Sequence, residues 1–418
     1  MGSPDLGYGR RMSAKPRVLI AGGGIAGMEA LLALTDLAGD RAELVMVSAD
    51  PDFRYRPMAV DEPFSLAPYE RKELAPAAGE LGARFVRDAV QVVRLDDRVA
   101  ETAGGEAISY DVALVCAGAS TRPAFTHAFN FVVPGPPLDA ADLIQRAREG
   151  EPHRIAFVVP SGVTWTLPLY ELALLTARRL GEAREEAEIV LVTPEASPLA
   201  IFGAGPSEAV RELLRARGIE FRGGVHAREE DEGALVLTPG EEELRAAAVV
   251  ALPLLAGPGI EGLPTDQNGF IPVDDHARVY DAEDLYAAGD GTNFPIKQGG
   301  IATQQADAAA EHIAARLGVD VEPTPFRPVL RGKLLTGEET MSMRADVGGG
   351  AGEGVASPDY LWWPPFKVSG RYLTPWLAGE ETHGEGAPPV RSVDVEVALP
   401  REWHREPMAL DPYTPTDG

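Results

Sequence analysis

Residues 18–21 (VLIA) are a short apolar run that ends on Gly22-Gly23-Gly24-Ile25-Ala26-Gly27, and residues 28–37 then have helical character. A strand that enters a glycine turn and leaves as a helix restricts the fold more than any other feature of this chain. Gly22 permits the tight turn, Gly24 lets a pyrophosphate reach the backbone, and Gly27 lets helix pack on strand. The helix start at Ile25 and Ala26 adds amides and the positive end of a dipole. An α/β chain with a dinucleotide at its first strand–helix turn is therefore expected. A second strand over residues 42–47 should end on an acid for the adenosine ribose, about 20 residues past the last glycine. Ser48 stands there instead; its hydroxyl can still bond a ribose, and Asp50 is near enough to assist. The glycine run 348–354 has no strand feeding it and is expected to be a mobile loop.

Two more segments have the form of a strand ending in a small-residue turn. They are residues 110–119 (YDVALVCAGA) and 284–290 (DLYAAGD). Together with the first loop they resemble the three FAD fingerprints of the pyridine nucleotide-disulfide oxidoreductase superfamily, flavoproteins with two dinucleotide-binding domains. The resemblance runs over residues 16–317 and includes GFIPVDDHARVYDAEDLYAAGD. It implies two Rossmann-like domains, the FAD domain interrupted by an NAD-domain-like insertion. It further implies that Gly22, Gly24 and Gly27 face the FAD pyrophosphate, that Ala117 and Gly118 close the second fingerprint, and that Gly289 and Asp290 close the third. Asp290 would bond the ribityl chain or a phosphate. Past Asp290, Gly299-Gly300-Ile301 opens a long alanine-rich helix. A helix start aimed at the flavin's pyrimidine carbonyl would stabilise the negative charge of the reduced flavin.

Within that superfamily, Phe53-Arg54-Tyr55-Arg56-Pro57 and Pro295-Ile296-Lys297 resemble the branch of sulfide:quinone, flavocytochrome c sulfide and type II NADH:quinone oxidoreductases. The resemblance implies that Tyr55, Pro57 and Lys297 neighbour the isoalloxazine ring. The same superfamily carries a second glycine-rich loop for NAD(P)H. Here residues 158–175 read VVPSGVTWTLPLYELALL, which keeps only Gly162 and puts Trp165 and Leu167 where a pyrophosphate would press on the backbone. The β-α-β frame survives in residues 155–159, a helix from Pro168 capped by Thr166, and residues 189–192. The frame is thus expected to persist without a conventional NAD(P)H grip. The single cysteine, Cys116, excludes a two-thiol relay within one chain and is expected to pack rather than react. No histidine or cysteine pair has ligand spacing, so no metal is expected.

The order of segments suggests an FAD domain over 1–131, an NAD-like domain over 132–252, an FAD-domain return over 253–322 and a small C-terminal α+β region over 323–418. Residues 79–108 alternate as a small antiparallel excursion, and 132–138 and 251–259 suit crossings between the domains. Residues 328–346 should form a hairpin turning near Gly337. The aromatic stretch 361–377 (LWWPPFKVSGRYLTPWL) is interrupted by prolines, which suits a flap over the flavin or a subunit interface better than a membrane helix or a quinone entrance. A net charge of -26 argues against nucleic acid and anionic membrane surfaces as partners. With no apolar run of about 18 residues and no apolar core at the start, a cytoplasmic location is the default. Expected partners are a small-molecule electron donor and acceptor, quinones included, and a homodimer stays open. The function implied is an FAD-dependent oxidoreductase passing two electrons through flavin to a quinone-like or other acceptor. An NAD(P)H:acceptor reductase and a flavin-binding redox sensor are the alternatives.

Overall fold

The computed structural model describes residues 15–65, 71–132, 138–183, 187–337, 340–346, 355–357, 362 and 366–379. β1 (Arg17–Ala21) leads into α1 (Ile25–Ala38), as the glycine turn requires. Val18, Leu19 and Ile20 are all buried, the condition of a strand covered on both faces in a parallel sheet. β2 (Glu43–Val47) and β4 (Val112–Val115) pair with it in parallel and β3 (Arg84–Val86) pairs with β2, in the order β4-β1-β2-β3. The expected antiparallel excursion over 79–108 begins later than its alternation suggests. Only Val90–Arg94, Val99–Thr102 and Ala107–Ser109 form it, while the three residues of β3 extend the parallel sheet beside β2.

A second parallel sheet follows. Its strands are β5 (Phe129–Asn130), β6 (Arg154–Val158), β7 (Glu188–Thr193), β8 (Ile219–Gly223) and β9 (Ala248–Ala251), in the order β5-β9-β6-β7-β8. The helix α2 (Leu167–Ala183) connects β6 to β7 and is buried all round from Leu169 to Thr176. β10 (Leu285–Ala287) then returns to pair with β4 at the edge of the first sheet. Between the sheets, Ser120–Arg122 and Leu254–Ala256 run side by side as an antiparallel pair. The first crossing thus lies at 120–122, ahead of the boundary expected at 131, because β5 already belongs to the second sheet. Residues 133–137 of the expected linker lie outside the described residues.

The long helix α3 (Gly299–Arg316) packs beside α1, and its amides begin at Gln298, whose side chain accepts the Ile301 N–H at 2.9 Å. β11 (Val329–Leu335) pairs antiparallel with β12 (Thr340–Asp346), which pairs with β13 (Val355–Ser357). Gly337 follows β11 at φ +85°, where the turn was expected. α4 (Leu373–Ala378) buries Leu373 and Leu377 against the α1 region, and Trp376 meets Phe53 edge-on at 5.8 Å. This part of the aromatic stretch is therefore folded onto the first domain. The glycine run 348–354, residues 361 and 363–365, and the tail beyond 379 lie outside the described residues. Among the described residues, no helix is long and apolar enough to cross a membrane.

Candidate functional site

A cavity of about 560 Å³ runs past all three turns of the first sheet and up to the second domain and β11. Its floor is the glycine turn. Gly22 has φ +123°, and a Cβ on it would lie 2.2 Å from the Cys116 carbonyl oxygen. Gly27 is equally constrained: a Cβ there would lie 1.9 Å from the Gly22 oxygen. Gly27 is therefore a packing position, not a wall of the cavity, in contrast to the expectation that it faces pyrophosphate. Gly22, Gly24, Ile25 and Ala26 do form the wall, and Gly24 has open space on its Cβ side. Gly24 gives α1 no side-chain cap, so the first-turn amides point at the cavity as an anion site. The residues present thus fit the diphosphate of a dinucleotide, and the cavity volume lies in the range of cofactor sites.

Beside the glycine turn the cavity is lined by Ser48, whose N–H donates to the Val86 carbonyl at 3.0 Å, and by Asp50, the two residues expected at the ribose. Asp50 is engaged by Arg54 at 3.1 Å and by Arg56 at 3.6 Å. Ala117, Gly118, Gly289 and Asp290 also line the cavity. The Gly289 N–H donates to Gln305 Oε1 of α3 at 2.8 Å, which fixes the third turn to the helix behind it. Cys116 is buried, and burial pushes its thiol far above the ordinary range, as packing requires.

At the other end stand Pro57, Lys297, Gln298 and Gly299. On α3 the lining falls to Gly299 and Ala302, while Gly300 and Ile301, expected there, are buried outside it. Tyr55 also lies behind the wall. Its hydroxyl accepts the Val368 N–H at 2.7 Å, and its ring meets Phe366 edge-on at 6.0 Å. It therefore positions Val368, which does line the cavity, instead of facing a ring itself. Lys297 donates to the Thr292 carbonyl and lies 3.7 Å over the Phe270 ring. Burial lowers its pKa to about 8, against the opposing charges of Asp290 and Asp266. Burial likewise raises Asp290, against Lys297 and Arg56.

Sequence reasoning gave no role to the pair that joins the domains here. Glu171, on α2, and Lys367 meet at 2.6 Å with side chains 0% and 7% exposed. Lys367 also donates to the Pro57 carbonyl at 2.8 Å, and Glu171 accepts the Leu335 N–H at 2.9 Å. Burial raises the Glu171 pKa to about 7, with Lys367 opposing it. Glu171 stood in the quoted stretch 158–175, but nothing local announces a partner so far along the chain.

That stretch itself is filled with side chains. Trp165, Leu167 and Pro168 line the cavity, and Trp165 packs edge-on against Phe202 at 6.0 Å. α2 begins at Leu167, one residue before the position expected, and the Thr166 hydroxyl bonds the Glu195 carboxylate. Glu195 follows β7, where an acid would hold an adenosine ribose. It instead accepts from Tyr170 Oη at 2.8 Å and from Thr193 Oγ1 at 3.1 Å, inside the domain. Elsewhere, Asp274, Asp275 and His276 approach closely enough to share an ion, a grouping of two acids and one histidine that no histidine or cysteine pair announces. Asp274 already takes the N–H groups of His276 and Arg278, each at 2.9 Å, and the group closes a turn.

Comparison with known proteins agrees with this geometry. An NADH dehydrogenase-like protein of Mycobacterium tuberculosis is 27% identical over 297 residues, covering 66% of this chain and 72% of its own length. A dihydrolipoyl dehydrogenase of Haloferax volcanii is 32% identical over 209 residues, 46% of this chain and 42% of its own. The sulfide:quinone oxidoreductase structure from Aquifex aeolicus superposes with a TM-score of 0.72 at 18% identity, covering 82% of this chain and 86% of that one. A ferredoxin reductase from Rhodopseudomonas palustris gives 0.58 at 20% identity over 79% and 82%. At such identities the two structures speak for the fold alone. The model of the pyridine nucleotide-disulphide oxidoreductase family matches residues 16–311, a span that holds both parallel sheets and all three glycine turns, and the chain belongs to that family.

Proposed function

We propose that this protein is an FAD-dependent oxidoreductase that takes two electrons from a small-molecule donor and passes them to a quinone-like or other small acceptor. The observation that carries the reading is the single continuous cavity, which joins the diphosphate cradle at Gly22–Ala26 to the start of α3 at Lys297 and Gln298. A bound FAD would supply the electron-accepting ring, while the protein holds it and sets the charge around it. Gly22, Gly24, Ile25 and Ala26 would hold the diphosphate, Ser48 the ribose, and Asp290 the ribityl side. Pro57 and Lys297 are the proposed neighbours of the ring, and Tyr55 orders the wall from behind.

NAD(P)H is disfavoured as donor by Trp165 and Leu167 at the second loop and by the inward turn of Glu195. The NADH dehydrogenase-like relative supports the other reading, in which nicotinamide enters without the usual loop. The deciding experiment mixes the yellow holoprotein anaerobically with NADH, NADPH and sulfide in turn and follows the flavin band at about 450 nm. No fast bleaching by either nucleotide is expected, followed by reoxidation by a quinone after photoreduction. Fast bleaching by NADH would establish the second reading. A photoreduced flavin that passes electrons to no acceptor would leave only a sensor or structural role.

A further inference from the structure

The second domain keeps an acid at the end of β7 but turns it away from any ligand. Glu195 stands two residues past Thr193, the last residue of β7, and a β-α-β unit of this kind holds an adenosine ribose with an acid at that place. Its carboxylate instead accepts from Tyr170 Oη at 2.8 Å and from Thr193 Oγ1 at 3.1 Å, and the Thr166 hydroxyl bonds it as well. Tyr170 is fully buried on α2, and its Oη also accepts the Leu199 N–H at 3.4 Å. A buried tyrosine hydroxyl needs an acceptor for its proton, and Glu195 is that acceptor. Turning the acid outward would leave the Tyr170 proton unpaired inside the domain, at the full cost of its desolvation.

The nicotinamide end of a dinucleotide meets a different obstacle. Thr164 Oγ1 donates to the Pro295 carbonyl at 2.5 Å, which fastens the turn after β6 to the chain two residues before Lys297. Trp165 follows at once and lines the cavity together with Lys297, Gln298 and Gly299. Behind the indole is packed protein. Phe202, itself fully buried, meets it edge-on at 6.0 Å, and β11 closes on Phe202 in turn. A Cβ on Gly332 of β11 would come within 2.5 Å of Phe202 Cζ and 3.0 Å of Leu167 Cδ1, so this side of the domain has no slack. One obstacle is thus steric, and the other is a hydrogen bond that competes with the ribose.

We infer that Trp165 and Tyr170 are the residues that decide which donors this flavin accepts. Trp165 takes the place of a nicotinamide beside the ring, and Tyr170 holds Glu195 off an adenosine ribose. The inference rests on the flavin oxidoreductase reading and narrows the donor of that site to compounds without a nucleotide handle. Because the β6-α2-β7 frame is intact, each obstacle can be lifted separately.

The test measures the affinity of the oxidised, FAD-loaded protein for two fragments of the dinucleotide by calorimetry. ADP-ribose reports on the adenosine end, and oxidised nicotinamide mononucleotide, which cannot reduce the flavin, reports on the ring end. Tyr170→Phe keeps the packing of the ring and is expected to tighten ADP-ribose about tenfold, the worth of the one hydrogen bond that no longer opposes it. It should leave the mononucleotide unchanged, and adding Glu195→Ala should cancel the gain. Trp165→Gly should do the reverse, tightening the mononucleotide about tenfold and leaving ADP-ribose as it was. Trp165→Leu, which keeps an apolar contact with Phe202, should act in the same direction and guards against a glycine variant that fails to fold. Fragments that bind the wild type as tightly as the variants would overturn the inference. So would gains for both fragments in either variant, because the domain would then simply have loosened. If the gains appear as expected but the photoreduced wild type passes electrons to no acceptor, the exclusion of nucleotides stands and the oxidoreductase reading falls. If no variant gains while a quinone reoxidises the flavin normally, that reading stands and the inference falls.

Discussion

Glu171 and Lys367 illustrate how much a single contact decides in this molecule. Neither side chain has appreciable solvent, so the attraction between them competes with the desolvation of both charges: burial raises the Glu171 pKa and Lys367 opposes it. Removing one partner is a different matter from removing both. Lys367→Met leaves a carboxyl group buried against α2 and is expected to destabilise the protein by about 3–5 kcal/mol. The double variant Lys367→Met/Glu171→Leu should regain most of that loss, since apolar groups can replace a buried pair at little net change. Urea unfolding of the wild type, both single variants and the double variant measures the cycle. A double variant as unstable as the sum of the two singles would show no coupling between Glu171 and Lys367 and would overturn the account of a compensated pair. None of this was legible in the sequence, because residues 171 and 367 are joined only by folding. The glycine turn was legible, since its requirement is local: Gly22 and Gly27 have no room for a Cβ, whatever the rest of the chain does.

Elements meet on the same terms at the junction of α1, α3 and α4. Glu29 of α1 is fully buried and accepts the backbone N–H groups of Tyr372 at 2.9 Å and Leu373 at 2.7 Å, which fastens the start of α4 to the first domain. Asp307 of α3 shares a hydrogen bond with Glu29. Burial first, and then the charge of Glu29, raises the Asp307 pKa from 3.8 to about 9, and burial raises Glu29 as well, so the pair shares a proton at neutral pH. Arg371 and Glu311 also face it and act in opposite directions, Arg371 lowering and Glu311 raising. A folded pKa above the unfolded one favours the native state fully below about pH 4, and that contribution disappears as pH rises through about 9. Stability measured by urea midpoint should therefore fall over that range in the wild type, and Asp307→Asn should flatten the slope. An unchanged slope in the variant would mean that other groups set it. Both helices were readable from glycine and alanine patterns, but their shared proton was not, because each carboxylate reads singly as a solvated face. The opposite error was made at β3, where three residues in an alternating run gave no sign that they extend a parallel sheet.

Across the whole molecule, the frame was more legible than the use made of it. Alternating strands and helices announced two parallel sheets. The second domain keeps its β6-α2-β7 unit although Trp165 and Leu167 occupy the turn where the family holds a nucleotide. The charge of -26 sets a negative field over this frame. Salt at about 0.1 M screens exposed charges beyond about 10 Å, so it weakens the repulsion that an approaching anion meets far more than the contacts it makes once inside. Reoxidation of the photoreduced protein by 1,4-naphthoquinone-2-sulfonate should therefore speed up severalfold between about 10 mM and about 150 mM salt, while uncharged 1,4-naphthoquinone shows little change. Stopped-flow traces of the returning flavin absorbance give both rate constants. A sulfonate rate that falls with salt would mean that the field at the cavity mouth is not negative, and that the acidity of the surface plays no part in choosing the redox partner.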